Sequence, residues 1–339
     1  MMSAFHIAFD AFIKGEHPDE DTMRAVLSAM LSGEAKDSQI GAILLGLETV
    51  GVTASDIEMG AKMMREHMLK IKVDADVVDT VGTGGDGHNT FNISTTVAIV
   101  AAACGAKVAK HGSRAVSSKS GSSDVLSVLG IDIDANAVAV ATCINEAGVG
   151  FLFAPKHHSA MRHVATARAG LGRRTLFNLL GPLTNPAGAK RQLIGVYDKK
   201  WCKPMAQALK GLGSTHAWVV HGHDGMDELT VTGKSQVVEL KEGKIKSFTV
   251  HPDDAGLGTY TLEQLRGGSA EKNAEELTDV LRGQKGAYRD CVLLNTAATL
   301  IVSGLADDLK SGAQIAAKAI DSGKAITTLT QLARLSYSS

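Results

Sequence analysis

The sequence predicts an α/β protein: a small N-terminal helical domain plus a larger α/β domain with a mostly parallel central sheet flanked by helices. Through residues 1–73, apolar side chains recur at helical spacing. From residue 74 onward, short apolar runs alternate with amphipathic stretches, which is typical of parallel strands joined by helices. We therefore assign a helical domain to 1–73 and an α/β domain to 74–339, with a helical segment near 160–190 as a candidate to complete the first.

Start and stop signals define the helices of the first domain. The acidic run that begins at Asp19 suits the positive end of a helix, and Gly33 suits its exit. A further helix ends near Gly51. Thr53 and Asp56 then form a capping signature for the next one. We interpret the methionines on these helices as core filling.

The second domain alternates strand and helix up to about residue 221. Strands are predicted at 77–81, 107–110, 149–153, 192–197 and 216–221, and helices at 93–103, 122–129, 135–147, 157–168 and 201–211. Beyond residue 230 the pattern is less regular. It predicts a hairpin at 237–250 and a return to helix at 273–335.

Composition and charge limit the function classes. The 339 residues are 44% hydrophobic and 21% charged, with a formal net charge of −1, which gives no electrostatic reason to expect nucleic acid or an anionic membrane as partner. The four cysteines are widely spaced, and the N-terminus lacks the pattern of a signal peptide. No apolar run approaches the roughly 20 residues that span a bilayer. We expect a cytoplasmic protein with reduced thiols.

The stretch from Val78 to Ala98 is the strongest functional signal. Its glycines, which allow positive φ and close approach of a ligand to the backbone, are Gly82, Gly84, Gly85 and Gly87. They stand between a predicted strand and a helix start, where free N–H groups favour an anion. The stretch contains Asp79 and Asp86 but no Lys or Arg, which indicates a polyphosphate held by backbone amides with metal ions supplying positive charge. The alternative is a tight structural turn.

A second polar loop, Lys110 to Asp124, follows the next predicted strand. It reads K-H-G-S-R-A-V-S-S-K-S-G-S-S-D. Its serine hydroxyls and the start of the following helix can hold a phosphate, with Lys110, Arg114 or Lys119 providing charge. A solvated polar loop is the alternative.

Adjacent histidines occur in F-L-F-A-P-K-H-H-S-A-M, at 151–161. No third ligand follows His157 and His158 at zinc spacing, so the lip of a binding crevice fits better than a metal site. Arg168 lies further along, and an ordinary surface salt bridge is the alternative for it.

An acidic turn, H-G-H-D-G-M-D-E, ends the last predicted parallel strand. Its adjacent carboxylates, Asp227 and Glu228, are hard oxygen ligands that suit Mg²⁺ bound to substrate phosphates. An ordinary acidic turn is the alternative. The glycine-rich loop needs a metal to hold a polyphosphate, and this turn could supply its ligands.

Together the motifs resemble the anthranilate phosphoribosyltransferase family. The matching text is G-T-G-G-D with N-I-S-T, K-H-G-x-R-A-V-S-S-K-S-G-S-S-D, F-L-F-A-P-x-H-H, R-T-x-F-N-L-L-G-P-L-T-N-P and H-G-x-D-G-x-D-E. The resemblance implies transfer of the phosphoribosyl group of phosphoribosyl pyrophosphate (PRPP) to the amine of anthranilate in tryptophan biosynthesis, with release of pyrophosphate. It also implies two Mg²⁺ ions and a homodimer formed through the helical domains.

The resemblance also implies site residues. Those for PRPP are Gly82, Gly85, Asp86, Thr90, Asn92, Ile93, Ser94, Thr95, Lys110, His111, Gly112, Ser113, Arg114, Ala115, Val116, Ser117, Ser118 and Ser122. Those for anthranilate are Gly82, His111, Ser113, Arg168, His158 and Met161, with Pro155 along the approach. The metal ligands would be Ser94, Asp227 and Glu228. No single general base is assigned, and we expect displacement at the anomeric carbon without a covalent intermediate.

Two positions depart from the family pattern. The family usually has K-H-G-N-R, whereas this chain has Ser113 in place of the asparagine that contacts anthranilate. Serine keeps a hydroxyl but is shorter and lacks the amide. The usual R-R-E-L-G is R-A-G-L-G here, which keeps Arg168. These changes bear on the acceptor and leave the PRPP motifs intact.

Two rival functions remain. Pyrimidine nucleoside phosphorylases share the architecture, but they read K-H-S-G-R and H-T-G-G-T-x-D where this chain has K-H-G-S-R and S-K-S-G-S-S-D. A non-catalytic relative that binds nucleic acid should show a basic face, which the near-neutral charge opposes.

Overall fold

The structure is a computed structural model that describes residues 2–114 and 120–338. Its α-helices are α1 (Ala4–Ile13), α2 (Glu20–Ser32), α3 (Asp37–Val50), α4 (Ala54–His67), α5 (Ile93–Ala103), α6 (Ser122–Val128), α7 (Ala137–Thr142), α8 (Ala154–His157), α9 (Arg162–Leu171), α10 (Phe177–Leu180), α11 (Cys202–Gly211), α12 (Ala270–Leu281), α13 (Ala287–Ser303), α14 (Leu309–Asp321) and α15 (Lys324–Leu335). Its strands are β1 (Val78–Gly82), β2 (Val108–Gly112), β3 (Val149–Phe153), β4 (Arg191–Gly195), β5 (His216–Gly222), β6 (Ser235–Lys241) and β7 (Lys244–Val250).

The chain forms two compact units. The first consists of Met1–Leu69 with Pro155–Thr184, and the second of Lys70–Ala154 with Asn185–Ser339. The first unit is helical, and all seven strands lie in the second. The chain therefore enters the helical unit twice, whereas the sequence analysis placed one main boundary at residue 73.

Local capping explains the helices of the first unit. Asp19 caps α2 by accepting a hydrogen bond from the N–H of Thr22 at 2.8 Å, and Gly33 ends this helix at φ +85°. The predicted capping pair before α4 is confirmed, since the N–H of Thr53 donates to Asp56 at 2.8 Å and the N–H of Asp56 donates back at 3.2 Å. Met23 is fully buried in this unit, as its predicted core role requires.

The sheet of the second unit has the order β3-β2-β1-β4-β5-β6-β7. Strands β1 to β5 are parallel, and β6 and β7 add an antiparallel edge that confirms the predicted hairpin. Chain order reverses between β1 and β4, because β2 and β3 lie on one side of β1 while β4 and β5 lie on the other. Ligands of open α/β sheets bind at such a switch point, outside the carboxyl ends of the strands.

Both faces of this sheet are buried. Successive residues of a strand point to opposite faces, and on β2 Val108 packs into a larger core that contains Val97 of α5 and Leu294 of α13. The next residue, Ala109, packs into a smaller core with Val140 of α7. Helices therefore flank the sheet on both sides, as the sequence predicts.

Two predicted helices differ in detail. The helix predicted at 135–147 begins at Ala137, and its last five residues, Cys143–Ala147, form a π-helix before Gly148 at φ +81°. The helix predicted at 157–168 is divided into α8, a short 3₁₀ turn and α9, because His158 lies outside the helical region at φ −117° and ψ 57°. No helix in the described residues combines the length and apolar character that crossing a bilayer requires.

Candidate functional site

A cavity of about 200 Å³ lies at the carboxyl ends of β1 and β2, beside the switch point of the sheet. Four segments and the acidic turn line it, and their residues are Val81–Gly87, Asn89–Ser94, Lys110–Arg114, Ser120–Ser122, Asp227 and Glu228. The parallel strands bring the glycine-rich loop and the second polar loop together, because the carboxyl ends of such strands meet at one edge.

Glycines in the first loop have two different roles. Gly84, Gly85 and Gly87 have φ of +68°, +80° and +81°, a backbone conformation that favours glycine. Gly82 does not, but a Cβ placed on it would lie 2.3 Å from Oδ2 of Asp227. The first three shape the loop, and Gly82 leaves room for the acidic turn.

Strand β4 holds both the loop and the acidic turn. The N–H of Thr83 donates to the carbonyl oxygen of Gly195 at 2.9 Å, and Oγ1 of Thr83 accepts from the N–H of Tyr197 at 3.0 Å. A Cβ on Gly195 would lie only 1.4 Å from the carbonyl oxygen of Asp227. The end of β4 must therefore be glycine for the acidic turn to reach the cavity.

The acidic turn is poorly compensated by the protein. Oδ2 of Asp227 accepts a hydrogen bond from the N–H of Gly84 at 2.7 Å, and the carboxylate of Asp86 lies beside it. Removal from water, followed by the negative charge of Asp86, raises the pKa of Asp227. Burial and then the charge of Asp227 raise the pKa of Glu228, although the N–H of Ser94 at the start of α5 donates to it. Carboxylates in this state favour a bound cation.

The donor set at the cavity suits Mg²⁺. Oxygen atoms of Asp227 and Glu228 are hard ligands, and the compensating positive charge recorded beside Glu228 in the described part of the chain is that of Lys110. In the described residues, no three His, Cys, Asp or Glu side chains form a ready cage for a metal. Mg²⁺ usually binds through one or two carboxylates together with water and substrate phosphates, so a partial set fits it.

A second acid, Asp79 on β1, does not line the cavity but contacts His111, which does. It is fully buried and accepts hydrogen bonds from the N–H of His111 at 3.1 Å and from Nδ2 of Asn185 at 2.8 Å. Burial raises the pKa of Asp79 to about 6, against the opposing charge of Lys110. Burial lowers the pKa of Lys110, against the charge of Asp79. Nζ of Lys110 itself donates to the carbonyl oxygen of His111 at 3.1 Å, so Asp79 acts on this lysine through charge rather than through a direct bond.

The structure brings most of the predicted PRPP residues to this cavity. Those that line it are Gly82, Gly85, Asp86, Thr90, Asn92, Ile93, Ser94, Lys110, His111, Gly112, Ser113, Arg114 and Ser122. Thr95 is 2% exposed and does not line it. Ala115, Val116, Ser117 and Ser118 lie outside the described residues, as does Lys119.

Sequence reasoning missed a segment that holds the first loop. The N–H of Phe91 donates to the carbonyl oxygen of Leu265 at 3.0 Å, and the N–H of Gly267 donates to that of Asn89 at 2.8 Å. Thr90 and Arg266 pair as an isolated antiparallel bridge. We call residues 265–268 the strap. Its sequence, L-R-G-G before a serine that caps α12, indicates a turn but not its partner.

The predicted acceptor residues belong to both units. Gly82, His111 and Ser113 line the cavity of the α/β unit, as described above. In the helical unit, the guanidinium carbon of Arg168 lies 5.5 Å from the ring centroid of Phe177. Burial, together with the neighbouring His157, lowers the pKa of His158 to about 4, so its imidazole is neutral at pH 7.

The other two predicted acceptor residues lie close to this histidine in the chain. The N–H of Met161 donates to the carbonyl oxygen of His158 at 3.0 Å, and Met161 is half-buried. Pro155 is exposed at the start of α8.

A second cavity, of about 340 Å³, lies at the opposite edge of the sheet, where β2 and β3 begin. Small residues such as Ala102 and Ala147 line it, with the exposed side chains of Glu146 and Lys324. It has neither a glycine-rich loop nor paired carboxylates. The cavity at the carboxyl edge is therefore the candidate active site.

Two family patterns cover most of the chain. The pattern described as "Glycosyl transferase family, helical bundle domain" matches residues 8–68. The pattern described as "Glycosyl transferase family, a/b domain" matches residues 74–326.

Curated relatives share the whole length. The chain is 53% identical over 331 residues to an anthranilate phosphoribosyltransferase of Parvibaculum lavamentivorans, covering 98% of this chain and 97% of the relative. It is 48% identical over 335 residues to the one from Maricaulis maris, covering 99% of both chains.

Solved structures have the same fold. The anthranilate phosphoribosyltransferase of Thermus thermophilus superposes with a TM-score of 0.92 at 41% identity, covering 99% of this chain and 100% of that one. The enzyme of Saccharomyces cerevisiae in complex with PRPP and Mg superposes with 0.90 at 29% identity, covering 99% and 98%. The same yeast enzyme with 4-fluoroanthranilate superposes with 0.88 at 28% identity, covering 98% and 97%.

Proposed function

Because the chain belongs to the anthranilate phosphoribosyltransferase family, we propose that it transfers the phosphoribosyl group of PRPP to the amine of anthranilate. The products are N-(5-phosphoribosyl)anthranilate and pyrophosphate, in tryptophan biosynthesis. The observation that carries the proposal is the joint presence, at one cavity, of the glycine-rich loop, buried Lys110 and the carboxylates of Asp227 and Glu228. A phosphate loop without paired acids would fit many phosphate ligands, whereas this combination fits a metal-bound pyrophosphate.

The chain's own groups explain how the transfer proceeds. The bond between the anomeric carbon and pyrophosphate breaks through an oxocarbenium-like transition state, so negative charge grows on the leaving pyrophosphate. The backbone N–H groups of the glycine-rich loop, the start of α5 and the ammonium of Lys110 stabilise that charge. Bound Mg²⁺ supplies further positive charge to the pyrophosphate, with Ser94, Asp227 and Glu228 as its holders. The amine attacks directly, without a covalent intermediate, and loses its proton afterwards.

Positioning accounts for the rest of the rate. Anthranilate's amine is nucleophilic before the reaction, so no strong general base is required, and we assign none. We propose Gly82, Ser113 and His111 as contacts of anthranilate. We propose Arg168, His158 and Met161 as its further contacts. Holding both substrates in reacting geometry replaces a collision in water by a pre-arranged encounter.

The remaining assignments are also proposals. We propose two Mg²⁺ ions, a cytoplasmic homodimer formed through the helical domain, and PRPP contacts at the predicted residues, including the four outside the described part of the chain. Near-neutral net charge supports small-molecule substrates rather than nucleic acid.

A fluorescence assay tests the proposal. The protein is incubated with PRPP, Mg²⁺ and anthranilate, and loss of anthranilate fluorescence is followed while released pyrophosphate is measured separately. We expect equal amounts of anthranilate consumed and pyrophosphate released, and no reaction with chelator present. Absence of turnover at high anthranilate, with phosphorolysis of a pyrimidine nucleoside instead, would favour the nucleoside phosphorylase. Binding of single-stranded DNA at physiological salt would favour the nucleic-acid-binding relative.

A further inference from the structure

The side-chain amide of Asn92 has a defined orientation at the wall of the cavity. Asn92 directly precedes α5, yet its side chain makes no capping bond to that helix. Its Oδ1 accepts a hydrogen bond from Nδ2 of Asn273 at 2.8 Å. Its Nδ2 donates to the carbonyl oxygen of Ser120, in the second polar loop, at 3.4 Å. An amide has one accepting side and one donating side, so the bond to Asn273 decides which side faces the cavity.

The orientation of Asn273 is in turn set by the backbone. Asn273 lies in α12 and is 2% exposed. Its Oδ1 accepts the N–H of Gly268, in the strap, at 2.7 Å. A backbone N–H can only donate, so this end of Asn273 must be oxygen and the other must be NH₂. The N–H of the strap therefore fixes the amide of Asn273, and Asn273 in turn fixes the amide of Asn92. In this arrangement the NH₂ group of Asn92 is directed toward the cavity.

We propose that Asn273 is a positioning residue for PRPP, because it holds the amide of Asn92 with its nitrogen toward the substrate's phosphate oxygens. The inference rests on the proposed function, since it concerns the same cavity and substrate. Ionised phosphate oxygens only accept hydrogen bonds, so a reversed Asn92 would present its oxygen to them and repel them. The acceptor amine does not depend on this orientation in the same way.

The backbone of Asn92 is held separately from its side chain. The hydroxyl of Tyr288 lies 2.5 Å from Oγ1 of Thr96 and donates to the carbonyl oxygen of Asn92 at 3.4 Å. The ring of Tyr288 stacks on Phe91 with centroids 4.5 Å apart. A change at Asn273 therefore acts mainly on the Asn92 amide, while these contacts keep the loop in place.

The strap must approach closely for this arrangement. A Cβ on Gly267 would lie 2.7 Å from the carbonyl oxygen of Thr90 and 2.9 Å from Oδ1 of Asn273. Glycine at this position thus allows the strap to contact both Thr90 and Asn273. The glycine of the strap and the position of Asn273 therefore support the same set of contacts around Asn92.

An Asn273→Asp substitution reverses the orientation with little change of shape. The carboxylate still accepts from Gly268, but its second oxygen cannot donate, so Asn92 must turn its NH₂ inward and its oxygen toward the phosphates. We expect the KM for PRPP to rise about ten- to a hundred-fold. The kcat and the KM for anthranilate should change by less than about threefold.

Two variants separate orientation from the added charge and from the chemical change itself. If orientation is the cause, Asn273→Asp should raise the KM for PRPP by less than about threefold in an Asn92→Ala background, because no amide remains to reverse. The matched control is Asn136→Asp. Asn136 also accepts a backbone N–H, from Ala139 at 2.9 Å, and an aspartate makes the same bond, so its kinetics should equal those of the wild type.

A wild-type KM for PRPP in Asn273→Asp overturns the proposal, and so does an equal effect in both backgrounds. If thermal unfolding shows that Asn273→Asp does not fold, Asn92→Asp tests the same point. That substitution keeps the oxygen that Asn273 needs but removes the NH₂ group, so an unchanged KM overturns the proposal as well. Wild-type protein without turnover would contradict the proposed function instead, and calorimetric binding of PRPP to the same variants would still test the orientation.

Discussion

Two acidic sites beside one cavity differ in how the protein compensates their charge. Asp79 accepts hydrogen bonds from the backbone of His111 and from Asn185, and Lys110 lies near it. Asp227, by contrast, accepts a bond from the N–H of Gly84 and is repelled by the carboxylate of Asp86. Burial raises the pKa at both sites, but the neighbouring charge opposes the rise at Asp79, where it is that of Lys110, and adds to it at Asp227, where it is that of Asp86.

This difference separates a structural carboxylate from one that is prepared for a ligand. A buried carboxylate that the protein supplies with donors stabilises one arrangement, here the contacts of β1 with His111 and Asn185. A buried charge that the protein leaves under-compensated destabilises the empty site and stabilises a bound cation. The two sites differ in exposure and in the charge beside them: Asp79 is fully buried near Lys110, whereas Asp227 is half-buried, lines the cavity and faces the carboxylate of Asp86.

The largest effect is expected from neutralising the acidic turn with Asp227→Asn and Glu228→Gln together. Turnover should fall about a hundred- to a thousandfold, because the holders of the metal charge are lost. The thermal unfolding midpoint without Mg²⁺ should stay equal or rise, since the mutual repulsion is removed and the asparagine oxygen can still accept from Gly84. Initial rates over a Mg²⁺ titration and thermal unfolding measure the two effects.

Glu146→Gln serves as the matched control for this pair. Glu146 is exposed and lies at the opposite edge of the sheet, so the same chemical change there should leave both measurements unchanged. A double variant that keeps the wild-type Mg²⁺ response, or one that unfolds at a much lower temperature, would contradict the contrast drawn between the two acidic sites.

The opposite result is expected at the compensated site. Asp79→Asn places an NH₂ group against one of two donors, the N–H of His111 or the amide of Asn185. The fold should lose about 2–3 kcal/mol, as measured by urea unfolding. Asp132→Asn is the control, because Asp132 accepts a backbone N–H in a turn and an asparagine oxygen does the same. An equal loss of unfolding free energy in both variants would contradict the stabilising role that we assign to the two hydrogen bonds of Asp79.

Local patterns predicted much of this architecture. The sequence analysis predicted β3 and α5 with their observed bounds, because each is a short run bounded by turn or capping residues. It also indicated the glycines with positive φ and the adjacent carboxylates of the acidic turn. Such features depend on neighbours in the chain, so residue type and spacing contain the necessary information.

Long-range pairing was beyond these patterns. The strap contacts the end of the glycine-rich loop, which lies more than 170 residues earlier in the chain. Its sequence, L-R-G-G, indicates a turn but not the segment that the turn contacts. Thr95 shows a related limit, since its place in N-I-S-T predicts a PRPP contact but does not tell that the first turn of α5 buries the residue. Likewise, no local pattern predicts that Nδ2 of Asn185 donates a hydrogen bond to the buried carboxyl of Asp79.

The pH dependence of stability sharpens the contrast further. The pKa of Asp79 is raised in the folded protein from 3.8 to about 6, so the folded state holds this proton more tightly than the unfolded state. The resulting stability is present at low pH and is lost as pH rises through about 6. The stability gap between the wild type and Asp79→Asn should therefore narrow by about 1 kcal/mol from pH 5 to pH 8.

Urea unfolding of both proteins at the two pH values measures this gap. Comparing the pair cancels the titration of the acids near Asp227, because both proteins share them. A stability gap that widens with pH would mean that the folded protein favours the ionised form of Asp79. The raised pKa that we assign to this buried carboxyl would then be wrong.

The smallest effect is expected at Gly82, which lies on the same strand as Asp79 and beside the side chain of Asp227. A Cβ there would lie 2.3 Å from Oδ2 of Asp227, which is the end of a side chain that can rotate, so Gly82→Ala should keep the fold. The rotation breaks the 2.7 Å bond from Gly84, and activity should fall about fivefold while half-saturation moves to higher Mg²⁺. Gly170→Ala, whose added Cβ meets no atom within 4 Å, controls for the loss of glycine. Unchanged Mg²⁺ saturation in Gly82→Ala would mean that the orientation of Asp227 is not fixed by this contact, because a turn that binds a cation must lose affinity when its carboxylate is displaced.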